Sequence, residues 1–184
     1  MSRALVLAGV AALAACHTCP DHDKASLALE NAKGVYDAGR FDQAKSVFQA
    51  VLDYCPENYD ALIGYANACR EYGTQLFGTV DLLVRQNKPD AAKKTYEEAN
   101  QNHGEADRSF RSALVLQPDD LAPRYGLGLL WYQRATSPVN YPYPLDDRVN
   151  RREARDKSIA EFELIVRRHP ELWIWLHRRW RDRE

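Results

Sequence analysis

The densest group of reactive side chains lies near the N-terminus, where Cys16, His17, Thr18, Cys19, Pro20, Asp21 and His22 follow one another. Two thiols, two imidazoles and a carboxylate so close together suggest a metal site or a thiol redox pair. The spacing fits neither. Haem attachment needs a histidine directly after the second cysteine, where Pro20 stands, and thioredoxin-like chemistry needs a strand running into a helix, a context the sequence does not supply. Cys19 to Asp23 reads instead as a polar tether. Elsewhere, a nucleophile needs a base and an orienting group, and a phosphate cradle needs a Gly-rich turn at a helix start. Neither pattern occurs. The acidic pairs Asp119-Asp120 and Asp146-Asp147 fall at helix starts, where the helix dipole accounts for them. His103 sits in an apolar stripe and reads as a hydrogen-bonded structural histidine. Cys55 ends one helix and Cys69 lies on the next, so in an exported protein they could pair or remain two buried free thiols. No catalytic residue, metal ligand or cofactor is expected.

The elements that position these residues are helices. The chain of 184 residues is 45% apolar with a net charge of -1, which fits one domain plus a leader and argues against a general polyanion binder. Several of its nine glycines and nine prolines fall at proposed turns, as in a mainly helical chain. Charge is uneven: from Arg148 onward 11 basic residues face 7 acidic ones, so this part could face something anionic.

Residues 33–56 read as a helix, a Gly39 turn and a second helix carrying Ala44, Phe48 and Val51 before Pro56 stops it. One such pair cannot bury its own apolar stripe, so similar pairs must stack on it. Pro56, Pro118 and Pro170 each close a similar helix. At 12, 8 and 5 residues before them stand Ala44, Phe48 and Val51, then Ala106, Phe110 and Ala113, then Ser158, Phe162 and Ile165. That shared spacing is an internal repeat.

With the small residues Ala32, Ala66 and Gly128 in the first helices, and Gly39 and Gly73 at their ends, the pattern resembles the tetratricopeptide repeat over most of residues 25–170. It departs from that family at the first-helix start, where Ala28, Leu62 and Arg124 replace the usual large aromatic. The 62 residues from Pro56 to Pro118 exceed one repeat unit of about 34 residues by 28. Cys69, Tyr72, Leu76, Val80 and Leu83, and then Ala92, Tyr96, Ala99, His103, Ala106, Phe110 and Ala113, form heptad-like seams. The insertion therefore reads as two helical arms that lengthen the second hairpin, turn at Asn87-Lys88-Pro89-Asp90 and bring each helix to ~42 Å. A separate short helix pair is the alternative. Between Pro118 and Pro170 the extra length is Pro-rich: residues 136–147, TSPVNYPYPLDD, predict an extended loop before a helix that runs to about Arg168. Tyr141 and Tyr143 on that loop could contact a partner or pack across the repeat ends.

The resemblance implies an all-α solenoid of about three helical hairpins, the second lengthened by 28 residues, with a C-terminal capping helix. It also implies a concave groove, lined by the first helices, that receives peptides or extended chains. The register of the three prolines places Lys33, Tyr36, Asn67, Arg70, Tyr125, Leu129 and Tyr132 there, with the alternative that some of the tyrosines pack between repeats.

Residues 1–15 have one arginine and an apolar run, the layout of a secretory leader too short to span a bilayer comfortably. Leu13-Ala14-Ala15-Cys16 resembles the bacterial lipobox, which implies removal of the leader and acylation of Cys16 with palmitate-type chains. Three such chains would exceed what stable anchoring requires. An ordinary leader cleaved nearby and an uncleaved anchor helix are the alternatives. His17 after the cysteine, by resemblance to enterobacterial sorting, implies the outer membrane facing the periplasm. The expected organisation is a leader at 1–15, a lipidated tether at 16–24, the repeat domain at 25–170 and a tail at 171–184.

That tail, as a helix, aligns Trp173, Leu176, His177 and Trp180 along one side. It reads as a cap over the last repeat or as an interfacial helix, with Trp173, Trp175, Trp180, Arg178 and Arg179 meeting lipid. PELWIWLHRRW also resembles the tail of bacterial lipid A lauroyl and myristoyl acyltransferases. His177 and Asp182 have the spacing of their His-x4-Asp motif, but five residues apart on a helix they do not share a face. The expected function is a lipid-anchored scaffold holding a protein partner in an envelope complex, with no nucleic acid involved. A periplasmic ligand-binding component serving a transporter, with an apolar cavity between the long hairpin and the Pro-rich loop, is the alternative, and an acyltransferase-related enzyme is third.

Overall fold

The computed structural model describes Cys19, residues 22–136 and residues 147–172. Among them there are six helices and no strand. They are α1 (His22–Asp37), α2 (Phe41–Tyr54), α3 (Tyr59–Arg85), α4 (Pro89–Leu116), α5 (Leu121–Thr136) and α6 (Asp147–Arg168), followed by a 3-10 turn at Pro170–Leu172.

Local chemistry sets the boundaries. α1 ends in a turn where Gly39 takes φ 72°, a conformation that costs other residues a Cβ clash. Asn58 caps α3 by accepting a 2.9 Å hydrogen bond from the Ala61 amide. Pro89 opens α4, where its missing N–H costs nothing. Asp120 stands just ahead of α5 and accepts from the Ala122 amide.

Consecutive helices pack as antiparallel hairpins, and α3 also touches α1 on one side and α5 on the other, so the three first helices share one face. At the expected repeat positions Ala44, Ala106 and Ser158 are all buried, and the Ser158 hydroxyl donates to the Gly128 carbonyl at 2.9 Å. Phe48 and Phe110 fill the gaps between hairpins. Each ring lies against the backbone of a glycine in the next first helix, Phe48 on Gly64 and Phe110 on Gly126, where a Cβ would overlap it. Both glycines stand eight residues after a repeat proline, so the phenylalanine–glycine socket recurs at the same register from one junction to the next.

The second hairpin is long, as the insertion predicts: 27 and 28 helical residues, or about 40 Å each. Phe77, Val80, Ala92 and Ala99 form its own apolar cluster. On α3 the expected seam holds at Cys69 and Val80, which are buried, and at Leu76 and Leu83, which pack half-buried against this cluster, while Tyr72 donates to Glu98 of α4 at 3.0 Å; Ala66, Arg70, Gly73 and Phe77 are buried besides. Gly73 does not end a helix but lies inside α3, where its missing side chain admits the His103 ring. His103 is wholly buried and its Nε2 bonds the Arg70 carbonyl at 3.2 Å, so it is a structural histidine as expected.

The cysteines pair differently from the arrangement considered above. Cys55 is disulfide-bonded to Cys19, and Cys69 is a buried free thiol. Cys69 faces the α3–α4 seam while Cys55 sits at the base of the first hairpin, with Ala25, Val51 and Leu62. Together with the start of α1 at His22, the disulfide fastens the expected tether to the domain. Cys16, the loop tyrosines Tyr141 and Tyr143, and Trp173, Trp175, Arg178, Arg179 and Trp180 lie outside the described residues.

Candidate partner-binding groove

A cavity of about 460 Å³ opens on the face shared by α1, α3 and α5. Its floor is the Gly64 backbone with the edge of Phe48, flanked by Ile63. Tyr36 of α1 and Tyr59 and Asn67 of α3 line it, and Lys33, Asp37, Asp60 and Asp120 bring charge to it. The Tyr36 ring is steadied by Phe41, with ring centroids 5.1 Å apart. Lys33 and Asp60 pair across α1 and α3 at 3.7 Å.

Tyr59 spans to the next hairpin, its hydroxyl donating to Asp120 at 2.6 Å. Burial, reinforced by that hydrogen bond, raises the Tyr59 phenol far above its usual range. The Ala122 amide, with help from Tyr59, holds the Asp120 carboxyl below the ordinary carboxylate range. Burial raises the Tyr36 phenol, against the opposing charge of Arg70. Both phenols therefore stay neutral, and the carboxylate stays charged.

Of the seven groove residues expected from the repeat register, Lys33, Tyr36 and Asn67 meet in this cavity. Arg70 does not. It is only 6% exposed, with its guanidinium bonded to Glu71 at 2.8 Å and to the Asn67 side chain at 3.2 Å, so it braces the wall from behind. Tyr125 packs edge-on against Phe162 of α6, which makes it a contact within the third hairpin. Leu129 is half-buried on α5. Tyr132 lines a second cavity, of about 530 Å³ between α5 and α6, with Thr136, Arg151, Arg152 and Arg155. The register missed Asp37, Tyr59, Asp60 and Asp120. All four lie at helix ends or in the turns between hairpins, where the three-proline register carries no information about facing.

Cys69, His103 and Glu105 are held in structural contacts. Burial raises the Cys69 thiol to about 12, which removes the thiolate a nucleophile needs. Burial holds His103 down to about 3, so it is neutral at physiological pH. Lys45 of α2 reaches α4, donating to Asn102 at 2.8 Å and pairing with Glu105 at 3.3 Å, while Tyr65 of α3 donates to the same Glu105 at 2.8 Å. Burial works against the Glu105 carboxylate, but hydrogen bonds from Tyr65 and Gln101 and the Lys45 charge outweigh it and lower its pKa. This network ties the first hairpin to the second. Among the described residues no group of three metal-binding side chains forms, and no helix is long and apolar enough to cross a membrane.

Residues 29–74 match the tetratricopeptide repeat family model. The match runs from Leu29 in α1 to Thr74 in α3, so it covers the second half of α1, all of α2 and the part of α3 that lines the cavity. Among the described residues the fold is an all-α, tetratricopeptide-like solenoid, an architecture that commonly mediates binding between proteins. No curated protein and no solved structure matches the chain.

Proposed function

We propose that the protein is a lipid-anchored scaffold of a bacterial envelope, tethered through Cys16 at the outer membrane and holding a partner protein on the face formed by α1, α3 and α5. The observation that carries this reading is the cavity that gathers Tyr36, Tyr59 and Asn67 from two successive first helices. Aromatic side chains give large contact area at low entropic cost, and convergent polar groups fix orientation. The disulfide between Cys19 and Cys55 is in keeping with an oxidising compartment outside the cytosol. Anchoring would hold the groove at high effective concentration near envelope partners. The burial of Cys69 and His103 in structural roles favours recognition over reaction.

Two measurements test this in the full chain expressed in a lipidating bacterium. Palmitate labelling with membrane fractionation should show acylated protein in the membrane, and Cys16→Ala should release it. Site-specific photocrosslinking from position 63 in the groove should trap a discrete partner, and Tyr36→Ala should abolish the product. Soluble, unlabelled wild-type protein would refute the anchor, and crosslinks that are absent or indifferent to Tyr36 would refute the groove.

A further inference from the structure

The register of the repeat places two cations, Lys33 and Arg70, in the groove. The structure reverses that charge. Arg70 is buried and already paired with Glu71. Among the described lining residues Lys33 is the one cation, against the carboxylates of Asp37, Asp60 and Asp120. Its own pair with Asp60 is weak, since the two side chains are 55% and 61% exposed. Exposed pairs of this kind contribute little and yield readily to a better partner.

Asp37 adds an independent sign. It is the last residue of α1, whose final turn carries no basic side chain. The carbonyl end of a helix is its negative pole, so a carboxylate there costs stability and deepens the local negative potential. Lysine or arginine would suit α1 better at this position. Beside the carboxylates stand two neutral rings, Tyr36 and Tyr59. Aromatic faces and carboxylates around one cavity are the environment that favours an ammonium or guanidinium group over an anion.

We propose that this cavity receives a lysine or arginine side chain from an extended segment of the partner protein, an assignment that rests on the reading of this face as a protein-binding groove. The cation meets Asp37 and Asp60, displacing Lys33 outward, while Phe48 and Ile63 take an aliphatic neighbour. Asp120 is engaged by Tyr59 and the Ala122 amide, so it contributes long-range attraction rather than a free ligand. The volume of about 460 Å³ suits one long side chain and part of its backbone.

The test is selection of a random peptide display library on the full chain in low salt, then fluorescence anisotropy of the leading peptide. Lysine or arginine next to an aliphatic residue should be enriched, and added salt should weaken binding. The double variant Asp37→Asn/Asp60→Asn should bind about tenfold more weakly, the factor expected for loss of a charge-assisted contact. Lys33→Gln should bind the same peptide more tightly, because Asp60 is then free. These three side chains are exposed and hold no buried contact, so circular dichroism should be unchanged.

Enrichment of acidic peptides that Lys33→Gln abolishes would overturn the cation preference while leaving the groove in place. Failure of any peptide to enrich, or enrichment insensitive to Tyr36→Ala, would overturn both. Spermidine or free arginine competing as tightly as the peptide itself binds would identify a small cation as the occupant and overturn the peptide assignment.

Discussion

Adding one methyl group to the third hairpin at Gly126 should destabilise the protein, although local propensity says the reverse. Gly126 lies inside α5, where alanine is favoured over glycine by ~0.8–1 kcal/mol. A Cβ at Gly126 would lie 2.9 Å from Phe110 Cε2 and nearer still to two other atoms of the ring. Carbon atoms in good contact are ~3.5–4.0 Å apart. Phe110 cannot swing aside, for it is wholly buried among Ala66, Ala106, Leu127 and Leu130. Overpacking a filled core costs ~1–3 kcal/mol, and overlap with a whole ring edge belongs at the upper end. Gly126→Ala should therefore lose ~1–2 kcal/mol net of its propensity gain. At ~2–4 °C per kcal/mol for a chain of this size, the midpoint should fall by several degrees. Gly34 and Gly78 provide the control, since nothing lies within 4 Å of a Cβ at either. Alanine there should stabilise by up to ~1 kcal/mol. The assay is thermal denaturation followed by far-UV circular dichroism, with Gly126→Ala/Phe110→Leu as a rescue that makes room. Equal, stabilising shifts at Gly126, Gly34 and Gly78 would falsify the socket.

Acid should unfold the protein in two overlapping stages. His103 has a folded pKa of about 3 against 6.5 when free, so only the unfolded chain binds a proton between these values. Stability should then be full above pH 6.5 and fall on acidification by roughly 1 kcal/mol per pH unit. Glu105, whose pKa is lowered in the fold, contributes stability above the free value of 4.5 that is lost as pH falls below it. Urea midpoints from pH 8 downward should show both, and His103→Gln should remove the slope nearest neutrality; a profile identical to wild type would refute the assignment. Removing the disulfide as Cys19→Ser/Cys55→Ser frees a loop of sequence separation 36 and should cost ~3–4 kcal/mol by loop-closure entropy. A thermal midpoint unchanged by the double substitution or by dithiothreitol would contradict it. Lys45→Met should leave Glu105 with one charged partner fewer and loosen the first hairpin from the second, seen as faster amide exchange in α2 than in the α3–α4 arm.

Much of this fold was legible because the signals are short-range. Gly39, Pro89 and the three prolines punctuate the helices, and the alternating spacing in residues 92–113 identifies the inward face of α4. On α3 the spacing found Cys69, Leu76, Val80 and Leu83 but not Arg70, Gly73 and Phe77, since nothing local reveals that a histidine ring 30 residues away needs the space at Gly73. In the groove, Lys33, Tyr36 and Asn67 were legible from the register. Asp37, Tyr59, Asp60 and Asp120 were not, because turns and helix ends do not repeat from hairpin to hairpin as helix interiors do.

The sequence by itself determined the three hairpins seen among the described residues, the length of the second and the positions that recur in each unit, since a helix and its stops depend on residues within a turn or two of one another. Tertiary structure alone decided that Cys19 takes Cys55, that Arg70 turns inward to Glu71, and that the cavity carries net negative charge. These outcomes depend on which side chains meet across tens of residues or compete for one buried space, and only the packed chain settles that competition.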